Sequence, residues 1–203
     1  MFSLKTWEHL AICTLLVGTL AGCVLPSAME QANSVDNSGS SVVVVGKIEI
    51  VPPLDAVYEQ KTHWNVIGDE AILNKIVMAT GTDPKPVDTD LVLSEWQNAI
   101  EAELGKNFFL KGKRQRTYLK GAMVNLDVKS QDRLWFPGGL YYDVPNGADA
   151  VYVGTLRYTR DDFNKIKKVE LINEYKSASR EFSSRFGKGA RLTQSLLKSA
   201  KVD

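Results

Sequence analysis

A nucleophile with a base beside it, a ring of metal-ligating nitrogens and sulfurs, or two carboxylates facing across a cleft would give a chain a reaction to run. The 203 residues here supply few of those parts. There are two histidines, His9 and His63, and two cysteines, Cys13 and Cys23, so three of the four fall within the first 23 residues. His63 stands beside Trp64 in "EQKTHWNVIGDE" with no nucleophile elbow around it, and reads as a surface histidine rather than a general base. Zinc patterns need at least two His or Cys at fixed spacing, and beyond residue 23 there is one such residue. Carboxylates are plentiful but scattered. Asp83, Asp88 and Asp90 in "GTDPKPVDTD" offer oxygen ligands without the twelve-residue order of a calcium loop. Asp161-Asp162, preceded by Thr159, have the spacing of a capped turn. "GKGAR" (187–191) and "PGG" (137–139) lack the strand-loop-helix frame of a phosphate loop. No catalytic residue, metal or cofactor is expected. The enzymatic alternative is a carbohydrate-active hydrolase using paired acids such as Asp143 and Asp162.

Two groups suit recognition better than catalysis. In "LKGKRQRTYLK" (110–120), Lys111, Lys113, Arg114 and Arg116 crowd around Tyr118. That composition fits a charged hairpin tip that keeps an edge strand soluble, or, with base and aromatic interleaved, a contact to a nucleic-acid backbone. Trp135, Phe136, Tyr141 and Tyr142 flank Pro137-Gly138-Gly139. Exposed, these rings would anchor a partner or stack on sugars; buried, they would be core.

The cysteines explain themselves through their surroundings. "MFSLKTWEHL" carries Lys5, an apolar run follows from Leu10 to Leu20, and small residues close it, which is the order of an export signal. The run is about half of the ~20 residues a spanning helix needs. Leu20-Ala21-Gly22-Cys23 resembles the lipobox of bacterial lipoproteins. That resemblance implies cleavage after residue 22, acyl chains on Cys23 and loss of Cys13 with the signal. The membrane would then be a partner through the lipid anchor, since two or three chains hold stably where one does not. Val24 stands where lipoproteins retained in the inner membrane carry aspartate, so the resemblance favours the outer membrane in an organism that has two. An exported chain has little occasion to meet nucleic acid, and none is expected as a partner.

Residues 23–40 read as a lipidated flexible tether, its stretch "VLPSAMEQANSVDNSGS" (24–40) being rich in Ser, Asn, Gly and Ala. Such a segment reaches roughly 23 Å, at about 5.5 Å times the square root of its length. Residues 41–203 are the size of one domain. The net charge of +1 conceals an uneven distribution, with a basic excess after residue 164.

Period-two alternation predicts strands over 41–51, 117–129, 148–159 and 167–175, the last two forming a hairpin around "RDDFNKI". Further strand segments are 72–80, 107–111 and 133–144, the last interrupted by a turn or bulge at Pro137-Gly138-Gly139. Ser94 and Gln97 have capping-box spacing, Trp96, Ile100 and Leu104 recur every four residues, and Gly105 follows, so a helix is predicted over 95–104. Tyr175, Ala178, Phe182 and Phe186 share one helical face, and Leu192, Leu196, Leu197 and Ala200 another, predicting a helical tail over 176–200. The fold expected is mainly β: an antiparallel sandwich of the immunoglobulin or prealbumin sort with one inserted helix and a helical tail. An α+β sheet is the alternative. The function expected is that of a non-catalytic, lipid-anchored module of the cell envelope that binds or assembles an envelope protein or polysaccharide.

Overall fold

The computed structural model describes residues 28–36, 38–54, 74–87, 98–126 and 133–200. Cys13, Cys23, His63, Asp88, Asp90 and Trp96 lie outside the described residues. Strand formation follows the β-branched and aromatic runs. In chain order the strands are β1 (Ser41–Val51), β2 (Lys75–Gly81), β3 (Asn98–Glu103), β4 (Asn107–Lys113), β5 (Thr117–Asn125), β6 (Arg133–Tyr142), β7 (Ala150–Arg160) and β8 (Ile166–Ile172). After β8 come a helix, α1 (Tyr175–Phe186), and two short strands, β9 (Leu192–Gln194) and β10 (Lys198–Ser199).

The strands form two facing sheets. The first has the order β4-β1-β7-β8, with β9 also on β7; the second has the order β10-β6-β5-β2-β3. The core lies between them and includes Val42, Val44, Ile48, Ile76, Met78, Ile100, Leu110, Leu156 and Tyr158. The chain is thus a sandwich and mainly β, as expected, but it is not antiparallel throughout. β1 runs parallel to β7, and so does β9, which makes the first sheet mixed.

β7 explains its own apolar density, since it is buried on both faces along most of its length. Val151 and Val153 point into the inter-sheet core, and so do Leu156 and Tyr158, so the alternation changes phase between them. The change is made at Gly154, whose φ of 106° excludes most other residues, where the register with β1 also shifts. A similar irregularity accommodates Pro137-Gly138-Gly139 within β6, where pairing with β5 skips from Leu140 to Pro137. The predicted bulge is there. A Cβ on Gly138 would stand 2.3 Å from the carbonyl carbon of Lys120, so the two main chains meet only because that residue is glycine.

The helix predicted over 95–104 is not formed in its described part, because residues 98–103 are β3. Glu101 and Glu103 point out while Ile100 and Ala102 are buried, and the strand pairs with β2 from Lys75↔Glu103 to Thr80↔Asn98. The apolar run of β2 needs a partner ladder on each side, and that tertiary demand overrides the four-residue spacing of Ile100 and Leu104. Gly105 does adopt the left-handed conformation its position suggested, with φ 75°, but it turns the chain from one sheet to the other.

The tail divides in the same way. α1 forms as its periodicity predicts, burying Ala178 and Phe182 on the outer face of the first sheet against Val43, Val45, Phe109 and Tyr152. Beyond it the expected helix is replaced by β9 and β10. Leu192 is buried under α1 whereas Leu197 enters the inter-sheet core, so their spacing reflects a chain crossing between two layers. The amide groups of Ser195 and Leu197 donate to the Tyr152 and Val153 carbonyls at 2.9 Å, extending the ladder along β7.

Residues 28–32, expected to be tether, instead form a strap across the β3 and β4 edges. Met29 N–H donates to Ala99 O, Ala32 N–H to Phe109 O and Lys111 N–H to Glu30 O, each at 2.8 Å. Ala32 is buried beneath α1, and the Arg185 guanidinium donates to its carbonyl at 3.2 Å.

Candidate functional site

The outer faces of the two sheets are treated differently. α1 covers the first, and its N-terminus is pinned by a half-buried charge network. Lys47 Nζ lies 2.6 Å from Glu174 and 3.6 Å from Glu49, Arg157 Nε donates to Glu49 at 2.5 Å, and the buried Thr155 hydroxyl donates to Glu174 at 2.6 Å. The Glu174 carboxyl is held below its usual range, first by the hydrogen bond from Lys47 and then by that from Thr155. Every member has a partner, which suits a structural clamp.

The second sheet's outer face carries the exposed chemistry. Tyr118 on β5 lies opposite Tyr141 on β6, and both point away from the core because Thr117, Leu119, Leu140 and Tyr142 point into it. The two rings are tilted, with centroids 5.6 Å apart. The Arg116 guanidinium sits 4.5 Å from the Tyr141 centroid, and Lys198 Nζ, from β10, 5.7 Å from it. Asp143 holds both cations: Arg116 Nε donates to Oδ1 at 2.8 Å and Lys198 Nζ to Oδ2 at 2.9 Å. The hydrogen bond from Arg116, then that from Lys198, keeps the Asp143 carboxyl below its usual range, and Asp143 in turn raises Lys198. A ring edge with two cations and one anion around it suits stacking together with directional hydrogen bonds.

Two separately predicted groups therefore meet at this ledge, the basic one through Arg116 and the aromatic one through Tyr141. The remaining members separate. Phe136 and Tyr142 are core, at 3% and 1% exposure, with Phe136 packed 4.9 Å from Tyr158, and they are unavailable to a partner. Trp135 is half-buried on the outer face against Ala79, Met123, Val77 and Val87. Lys198 was not a candidate, because nothing in its local sequence links it to a tyrosine 57 positions earlier; the Lys198↔Tyr141 pairing makes that link.

Lys111, Lys113 and Arg114 lie where β4 turns into β5, at the end of the sandwich where β1, β5 and β7 begin. A groove of about 900 Å³ opens there between the strap and residues 79–87, bounded by Lys85, Lys111, Lys113 and Lys120 against Glu30 and Asp83. Asp83 is engaged by Lys120 at 3.1 Å and by the Lys85 N–H at 3.0 Å, which lowers its pKa. Among the described residues no group of three or more His, Cys, Asp or Glu is disposed to hold a metal ion.

Asp161 behaves as its spacing suggested, its Oδ1 accepting from the Phe163 and Lys165 N–H groups in the β7–β8 turn. Asp143 and Asp162 do not form a catalytic pair. Asp143 O accepts from Ser195 beside the start of β7, and Asp162 lies just past that strand's other end, about 30 Å away at ~3.3 Å per residue. Paired glycosidase acids stand within about 10 Å.

Among the described residues no helix is long and apolar enough to cross a membrane. Compared with protein-family models, curated proteins and solved structures, the chain matches none of them, so the ledge and the groove must be interpreted from their own chemistry.

Proposed function

We propose that the chain is a non-catalytic binding or assembly module of the cell envelope, lipidated at Cys23 and anchored by it, in the outer membrane where there are two. The scaffold would be an immunoglobulin- or prealbumin-like sandwich with one sheet face closed by α1 and the other offered to a partner. The observation that carries this reading is the Arg116–Tyr118–Tyr141–Asp143–Lys198 ledge, where aromatic and charged groups stay half exposed side by side on the outer face of the second sheet. Tyrosine and arginine dominate binding energy where they cluster. The partner is an envelope protein or polysaccharide that presents rings or acidic groups to the ledge.

Two experiments test it. Cys23→Ala abolishes acyl labelling and releases the protein from membranes; unchanged labelling and retention overturn the anchor. A photo-crosslinking residue placed at Tyr118 in cells captures a discrete adduct that Arg116→Ala with Tyr141→Ala removes, whereas one placed at Asp162 captures none. Equal adducts from both positions overturn the ledge as the binding surface.

A further inference from the structure

The strap fixes more than the sandwich edge. Ala28 bridges Ala99 in parallel, near the start of β3, which places Ala28 at the end of the domain where β4 turns into β5. Five peptide steps separate Cys23 from Ala28. They span at most about 18 Å when fully extended. β7 alone is 11 residues, or about 36 Å, so the Phe163 hairpin lies twice that distance away at the opposite end. A lipid on Cys23 therefore keeps the β4–β5 end, and not the hairpin end, beside the bilayer.

That end also carries a run of cations. From Leu110 to Leu126 there is no acidic residue, while Lys111, Lys113, Arg114, Arg116 and Lys120 are basic. Arg116 and Lys120 have carboxylate partners, and Lys111 has Glu30 at 4.0 Å. Lys85 and Lys113 border the groove without an ion pair among the described residues. Cations within a Debye length of a bilayer are drawn to anionic headgroups.

We infer that the β4–β5 end is a docking face for anionic phospholipid headgroups of the membrane that holds the anchor. Lys85 and Lys113 supply the unpaired charge, and the groove between them receives headgroups. Docking orients the domain upright, so the Tyr118–Tyr141 ledge on the second sheet's outer face stays open sideways. The inference rests on lipidation at Cys23, and its test separates the two.

The mature lipidated chain is reconstituted into vesicles of phosphatidylethanolamine and phosphatidylglycerol at about 7:3, or of phosphatidylcholine alone. Once Cys13 has left and Cys23 is acylated, a cysteine introduced at Gln115 or Asp162 is the one thiol open to a fluorophore. Quenching by headgroup-bound nitroxide then reports proximity. The label at 115 is quenched in phosphatidylglycerol vesicles and the label at 162 is not. Lys85→Glu with Lys113→Glu lowers the docked-to-free ratio by about 25-fold or more, at roughly fivefold per cation, while the protein still floats with the vesicles. Floating protein whose label at 115 is quenched no more than that at 162, or equally on phosphatidylcholine, overturns docking and leaves the anchor standing. Protein that does not float, with no acyl mass on Cys23, overturns the anchor and the docking with it.

Discussion

α1 is either part of the core or a docking tail, and Phe182→Ala separates the two roles. Phe182 is fully buried, its ring centroid 4.9 Å from that of Phe186, in a cluster with Phe109 and Tyr152 from the sheet below. Truncation forfeits roughly 2 kcal/mol of transfer free energy. It also leaves a void of roughly 100 Å³, which at ~24 cal/mol per Å³ adds about 2.4 kcal/mol if nothing collapses into it. The total of about 4 kcal/mol corresponds to a fall in Tm of about 8–16 °C for a domain of this size. The control is Phe163→Ala, the same substitution at a side chain 91% exposed in the β7–β8 turn, which moves Tm by less than about 1 °C. Thermal melts followed by circular dichroism read both. A Phe182→Ala protein melting within 2 °C of its parent would refute the packing argument, and loss of envelope association in that same protein would make α1 a docking tail.

Gly138→Ala places a Cβ against the β5 main chain at Lys120 and Gly121, which cannot swing aside as a side chain does; the protein becomes insoluble or loses at least about 10 °C in Tm. A soluble Gly138→Ala protein with parental Tm refutes the close approach. Asp143→Asn removes the anion shared by Arg116 and Lys198, both half exposed, so at neutral pH Tm falls by only about 1–3 °C. Because the folded-state pKa of Asp143 is depressed, its contribution is complete above the unfolded value near 3.9 and disappears as pH falls through the folded value. Parent and variant therefore converge once the pH lies below that depressed folded value, and a difference that persists in acid strong enough to protonate the folded carboxyl contradicts the assignment. Tyr142 Oη is buried with no hydrogen bond of good geometry among the described residues, and burial pushes its phenol up to about 12 against a smaller opposing interaction with the nearby Thr117 hydroxyl. Tyr142→Phe is accordingly neutral or stabilising by up to ~1 kcal/mol in urea denaturation, and a loss above that would reveal a partner for the hydroxyl.

The local alternation and punctuation of the chain were enough to place most strands, because a strand's burial pattern has period two wherever one face is packed. β1, β5, β7, β8 and the Asp161 turn follow from the residues within them. So does the bulge at Pro137-Gly138-Gly139. α1 follows as well, since Ala178 and Phe182 need only one apolar surface beneath them. What local pattern could not decide is which surface an apolar residue meets. Ile100 fits a helix face or a strand face equally, and the unpaired edge of β2 chose the strand. Leu192 and Leu197 look like one helical stripe and belong to two layers. The aromatic group shows the same limit, since Tyr141 and Tyr142 are neighbours in sequence and face opposite sides of a sheet. The sequence by itself determined the β-rich class, the anchoring expectation at Cys23 and the absence of His and Cys clusters beyond residue 23. Only the tertiary structure brought Arg116 and Lys198 to Tyr141 and Asp143, and drew residues 28–32 out of the tether onto the sandwich edge. Those arrangements depend on ladder hydrogen bonds between segments far apart in the chain, and no local window contains both partners.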